Sequence, residues 1–156
     1  MQEFITNSKE ETQKIATDFA KSLKGGEILC FYGNLGAGKT TFIQALAKAL
    51  GVKENVTSPT FVLMKQYRIK NQELGIMNFY HLDVYRLNSS QDAIDLGIEE
   101  IWSDSKNIIA IEWAEKISDI LPARNASHTD AGGPPNKIDL CSKHIEGDKR
   151  KIIIFD

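Results

Sequence analysis

Apolar and polar positions follow two rhythms in the first third of the chain. Ile15, Phe19 and Leu23 fall four apart, one stripe of a helix. They follow Ser8-Lys9-Glu10-Glu11, whose S-x-x-E form matches a capping box, and Gly25-Gly26 marks the stop. Glu27 to Tyr32 contains the unbroken apolar run Ile28-Leu29-Cys30-Phe31, which reads as a buried strand. A glycine-rich segment comes next. From Thr40 the positions Phe42, Ile43, Leu46, Ala47 and Leu50 return to helical spacing, and Gly51 is the natural C-terminal stop.

Beyond Gly51 strands dominate. Thr57-Ser58-Pro59-Thr60 reads as a polar loop, and Phe61 to Ile69 and Ile76 to Leu82 as strands joined through 70–75 as a hairpin. A short helix is expected over Ser90 to Asp95, ending near Gly97. Ile108-Ile109-Ala110-Ile111 is the cleanest buried strand and delivers Glu112 at its end. Ile138 to Ser142 and Lys149 to Phe155 read as a closing pair of strands. Pro122 to Asn136, rich in Asn, Ser, Gly and Pro without periodicity, is expected to be a long mobile loop.

Composition narrows the class. With 156 residues, 42% apolar and 26% charged, the chain is expected to be one globular domain over 1–156. A formal charge of −2 offers nucleic acid no general attraction, so contact with RNA would run through a local patch or a partner protein. No apolar stretch reaches membrane-spanning length, and the N-terminus lacks the apolar core of a signal peptide. Cys30 and Cys141 lie in apolar runs and read as reduced thiols, which points to the cytoplasm.

The chemistry concentrates in Gly33-Asn34-Leu35-Gly36-Ala37-Gly38-Lys39-Thr40, a P-loop. The pattern G-x-x-x-x-G-K-[ST] arises by chance in on the order of one chain in two hundred of this length. Context therefore has to decide, and a buried strand precedes the motif while a helix opens at its end. Glycines let successive backbone N–H groups turn toward phosphate oxygens at the positive end of the helix. Lys39 is then placed for the β- and γ-phosphates, and the Thr40 hydroxyl for Mg²⁺. A protein of this kind needs an acid at the end of a neighbouring strand. Glu112 and Asp83, the latter in His81-Leu82-Asp83-Val84-Tyr85-Arg86, both qualify. His81 by itself reads as a packing or hydrogen-bonding residue, with no Cys/His cluster to suggest a transition metal. Trp113 is open between packing and a contact with ligand.

One competing signal is set aside. Asn136-Lys137-Ile138-Asp139 spells N-K-x-D, the guanine-reading motif of GTPases, and Asp130-Ala131-Gly132-Gly133 spells D-x-x-G. The two nearly touch, and the first opens a strand where the motif should close one. ATP is the expected nucleotide.

Together these residues carry a family resemblance. Gly33 to Thr41, Ser58-Pro59-Thr60-Phe61, His81 to Leu87, and Ile111-Glu112-Trp113 resemble, in order, the motifs of the TsaE family. These are small bacterial ATPases of tRNA threonylcarbamoyladenosine biosynthesis. The resemblance spans Ser8 to about Leu121. It implies a P-loop NTPase-like α/β fold, with a central, mostly parallel sheet flanked by helices and antiparallel strands added. It also implies ATP hydrolysis that resets a TsaD–TsaB complex between rounds of tRNA modification, with tRNA met only through that complex. Carried onto this sequence, Lys39, Asp83 and Glu112 are the catalytic candidates. Gly33, Asn34, Leu35, Gly36, Ala37, Gly38, Lys39, Thr40, Thr41 and Thr60 are the nucleotide-binding ones, and Thr40 and Glu112 would belong to the Mg²⁺ site. Thr57 to Phe61 would be a switch-like loop near the γ-phosphate. The tail from Pro122 to Asn136 departs from the pattern, which leaves a nucleotide contact from Arg150 the least supported.

Two other readings stay open on sequence alone. A small-molecule P-loop kinase would be expected to bring an arginine-rich lid, whereas Arg68, Arg86, Arg124 and Arg150 are scattered. A regulator that binds nucleotide without hydrolysing it would have no need of Lys39, Thr40 and two acids together.

Overall fold

The computed structural model describes residues 1–59, 62–70, 75–123 and 136–155. Four strands run parallel at its centre: β6 (Asn136–Glu146), β2 (Glu27–Tyr32), β5 (Asn107–Glu112) and β4 (Asn78–Asp83). At one edge β3 (Met64–Arg68) pairs antiparallel with β4. At the other, β7 (Lys149–Phe155) and β1 (Gln2–Thr6) continue the sheet antiparallel, giving the order β1-β7-β6-β2-β5-β4-β3.

The unbroken apolar runs of β2 and β5 follow from burial on both faces. Leu29 and Phe31 of β2 and Ile108 and Ala110 of β5 face the layer formed by α1 (Lys9–Ala20) and α2 (Lys39–Ala49). Phe42 of α2 meets Phe19 and Phe31 at ring-centroid distances of 6.1 and 5.7 Å. Ile28, Cys30, Ile109 and Ile111 face the other layer, built on α3 (Ser90–Asp95), α4 (Ile98–Trp102) and a 3₁₀ turn over Ala114–Ile117. Burial there pushes the Cys30 thiol up to about 12, and both cysteines are free thiols.

The structure corrects several expected boundaries. α1 ends at Ala20 with Lys21 as its cap, short of Gly25-Gly26, and Leu23 is buried beyond the helix end. Ser8 does cap α1, its Oγ accepting from Glu11 N at 3.2 Å. The Glu11 carboxylate, however, accepts from Asn7 N at 2.7 Å, one residue before the expected partner. β3 starts at Met64, because Leu63 adopts a left-handed φ of 62°. β6 is more than twice as long as expected, since Asn136 to Cys141 pair with β2 and Asp139 to Glu146 pair with β7.

Three elements were not anticipated: β1, α4 and the 3₁₀ turn over Ala114–Ile117. β1 carries no period-two signal and exists because β7 offers it an edge, with Thr6 opposite Arg150. α4, five residues long, is too short for periodicity to register. The loop expected over Pro122 to Asn136 and the hairpin connection lie, for residues 124–135 and 71–74, outside the described residues. Among the described residues no helix is long and apolar enough to cross a membrane.

Gly33 ties the glycine loop to the sheet. Its φ is +132°, and a Cβ there would sit 2.1 Å from the backbone oxygen of Ser142 in β6. Gly33→Ala is therefore expected to destabilise the fold by about 1–3 kcal/mol, the usual range for a strained backbone residue. A lowered urea midpoint at unchanged slope is the readout.

Candidate functional site

β2 ends at Tyr32 and the chain turns through Gly33 to Gly38 before α2 begins at Lys39. Gly38 caps the helix in a left-handed conformation (φ 93°) and has no side chain to cap the first-turn amides of α2. The Lys39 side chain folds back over the loop. Its Nζ donates to the carbonyls of Gly33 at 2.5 Å and Asn34 at 3.1 Å, and sits 4.0 Å from the ring centroid of Trp113. Lys39 is 5% exposed. Burial pushes its ammonium below the ordinary lysine value, and the carboxylates of Glu112, Glu115 and Asp83 pull it partly back up.

Strand register supplies the acids. Asp83 and Glu112 are direct partners at the carboxyl ends of β4 and β5, and Glu112 is also level with Phe31 of β2. That is the crevice where open parallel sheets bind ligands. Thr40 Oγ1 donates to Glu112 Oε1 at 3.0 Å and lies 3.2 Å from Oε2. His81, fully buried, has Nε2 2.9 Å from Glu112 Oε1. Asp83 Oδ2 accepts from Ser58 Oγ and Oδ1 from Tyr85 N, each at 3.1 Å, which joins the 57–59 loop to the end of β4.

These groups open onto a cleft of about 630 Å³ that takes in the loop from Leu35 to Thr41, Ser58 and both acids. Gly33 and Asn34 are not on its wall and act through the carbonyls that hold Lys39. Thr60 lies outside the described residues.

The cleft is also lined by Lys9 and Thr12 at the start of α1, by Tyr85 and Arg86 just after Asp83, and by Asp148, none of which sequence reasoning gave a role. Arg150, singled out as the weakest candidate, lines it too. Its Nε lies 4.0 Å from where a Cβ on Gly38 would be. No local pattern could have found Lys9, Thr12, Asp148 and Arg150, because β1–β7 and β6–β7 pairing brings the two chain ends to the loop, whereas Tyr85 and Arg86 directly follow Asp83 in the segment that singled it out. Trp113, left open between packing and contact, stacks near Tyr85 (4.8 Å between centroids) and presents its face to Lys39.

The N-K-x-D segment is elsewhere. Asn136 is level with Glu27 and Asp139 with Cys30, so the motif starts at the end of β2 remote from the glycine loop. The Asp139 carboxylate is taken up by the Tyr32 hydroxyl at 3.0 Å and Lys137 at 3.2 Å.

Chemically the cleft offers uncapped backbone amides, one buried ammonium, and a hydroxyl beside a carboxylate. The first two suit an anion, and the hydroxyl–carboxylate pair is a hard-oxygen set that suits a small divalent cation.

A sequence model of the family described as threonylcarbamoyl adenosine biosynthesis protein TsaE matches residues 6–147. The chain belongs to the TsaE family. Its relatives in this family include proteins named tRNA threonylcarbamoyladenosine biosynthesis protein TsaE. The one from Rickettsia felis is 42% identical over 75% of this chain and 65% of its own length. The Bacillus subtilis one is 39% identical over 75% of this chain and 69% of its own. The crystal structure of Bacillus subtilis YdiB aligns with a TM-score of 0.70 at 30% identity, covering 97% of this TsaE-family chain and 82% of that one. The α/β, P-loop NTPase-like architecture expected from sequence is the one observed.

The buried Lys39 ammonium makes a titration test available. Because its folded pKa lies below the unfolded value, the unfolded chain holds more protons between the two. The stability cost of burying this charge is therefore present at neutral pH and relieved as pH rises through that window. After reductive ¹³C-methylation, one lysine NMR signal is expected to titrate below the others and to vanish in Lys39→Arg.

Proposed function

We propose that this chain binds ATP with Mg²⁺ and hydrolyses it to sustain tRNA threonylcarbamoyladenosine formation by a TsaD–TsaB complex. The observation that carries the reading is the meeting of Thr40 and Glu112. A hydroxyl from the end of the glycine loop and a carboxylate from β5 lie 3.0 Å apart at a strand-end crevice. Family membership supports the biological setting.

The residues divide the work. Backbone amides of the loop from Gly36 to Thr40 would cradle the phosphates, and Lys39 would exchange its two loop carbonyls for β- and γ-phosphate oxygens. Thr40 and Glu112 would hold Mg²⁺, whose oxygen-preferring chemistry fits this pair. Bound there, the ion would neutralise the charge that develops on the phosphates during transfer. Asp83 stays a hydrogen-bond acceptor at the strand end and would orient the attacking water. Ser58 couples it to the 57–59 loop, which would sense whether the terminal phosphate is present. Thr60 would add a hydroxyl to that loop. The only group transferred is a phosphoryl group to water, giving ADP, phosphate and a proton.

Lys39→Ala is expected to lower ATP-dependent turnover at least a hundredfold with the fold intact, measured by phosphate release. An unchanged rate would remove the P-loop assignment. The setting is tested by pull-down with the TsaD–TsaB pair and by tRNA modification over many turnovers. Capture by the pair and a raised multiple-turnover yield are expected. Failure of both would replace this reading with a small-molecule kinase.

A further inference from the structure

His81 is the one buried side chain among the described residues with an unpartnered polar atom. Its Nε2 is 2.9 Å from Glu112 Oε1, and its Nδ1 has no hydrogen-bond partner. The ring is 0% exposed and Glu112 is 4% exposed. An ionised carboxylate is acceptor-only, so Nε2 must carry the hydrogen. Nε2 is thus the donor to Glu112, and Nδ1 the ring nitrogen without a partner.

Strand periodicity brings the two residues together. His81 shares the parity of Phe79 and Asp83 on β4, and Glu112 that of Ile108 and Ala110 on β5. Phe79, Ile108 and Ala110 belong to the core beneath α2, so His81 and Glu112 meet under the start of that helix. Glu112 Oε1 receives two donors there, His81 Nε2 and Thr40 Oγ1, while Oε2 has only the longer 3.2 Å approach of Thr40. Thr40 alone lies near both oxygens and would let the carboxylate pivot. His81 makes the two oxygens unequal.

We propose that His81 is a positioning residue: by donating from Nε2 to Glu112 Oε1 it fixes the carboxylate's orientation and leaves Oε2 to the cation side of the cleft. Partners of metal-binding carboxylates typically control affinity or activity by about 10–100-fold. The inference rests on the Mg²⁺-ATP reading above and assigns no metal contact to His81 itself.

The test compares His81→Leu, which keeps bulk without a donor, with His81→Gln, whose amide nitrogen can reach the place of Nε2. Each full-length variant is titrated with Mn²⁺ in the presence of ADP by electron paramagnetic resonance. Steady-state ATP hydrolysis is then measured with the TsaD–TsaB pair. His81→Leu is expected to weaken Mn²⁺ binding about tenfold or more and to lower kcat, with binding of metal-free ADP changed less than twofold. His81→Gln is expected to recover most of both. Wild-type Mn²⁺ affinity in a folded His81→Leu, or equal defects in Leu and Gln, would overturn the proposal in favour of packing alone. If His81→Leu does not fold, ¹⁵N NMR of the wild-type ring decides: an Nδ1–H tautomer overturns it and an Nε2–H tautomer supports it. A wild-type protein that binds Mn²⁺-ADP but hydrolyses nothing would sink the ATPase reading, and the Mn²⁺ titrations would still decide the role of His81.

Discussion

Parallel pairing of β5 between β2 and β4 is the constraint on which the rest of the molecule depends. It ends three strands level, so the glycine loop after Tyr32, Glu112 and Asp83 open onto one crevice. A one-residue slip of β5 would turn Glu112 toward the opposite core and break its contact with Thr40. What holds the register is the two-faced burial of Ile108 to Ile111. Ile108 and Ala110 complete the core under α1 and α2, while Ile109 and Ile111 complete the core over α3 and α4. The apolar packing of the strand and the placement of its terminal acid are therefore one feature.

Around that crevice Lys39 and Glu112 are buried and Asp83 is half-buried, and each is compensated. Lys39 has two carbonyls and the face of Trp113, Glu112 has a hydroxyl and an imidazole, and Asp83 has a hydroxyl and a backbone amide. Low exposure strengthens each of these contacts and makes an unpaired group expensive, so the side chains are held in place before any ligand arrives. The left-handed backbone of Trp113 (φ 62°) belongs to the same arrangement. It turns the chain just after Glu112, lets Trp113 N donate to Phe31 O at 3.1 Å, and sets the indole against Lys39.

The legible part of the fold was the part with strong local signals. β2 matches Glu27 to Tyr32, α3 matches Ser90 to Asp95, α2 starts one residue early at Lys39, and β5 adds Asn107 before the expected run. Each has burial-driven periodicity or a capping residue. β1 and α4 do not, and the length of β6 depends on two different partners. At the site, motif spacing was enough to single out Lys39, Thr40, Asp83 and Glu112, and the structure brings these four together around one cleft. His81 was read as ordinary, because a lone histidine carries no pattern and its partner is 31 residues away.

By itself the sequence determined the glycine loop, the strand before it, the helix after it and two strand-end acids, since all of these rest on contacts between near neighbours. The family could also be read from motif order. Only the tertiary structure decided which oxygen of Glu112 is engaged, that Trp113 faces Lys39, and that Arg150 stands across from Gly38. It also placed the start of the N-K-x-D segment at the far end of β2, with Asp139 bonded to the Tyr32 hydroxyl. These are properties of strand register and side-chain packing between distant segments, and no spacing along the chain encodes them directly.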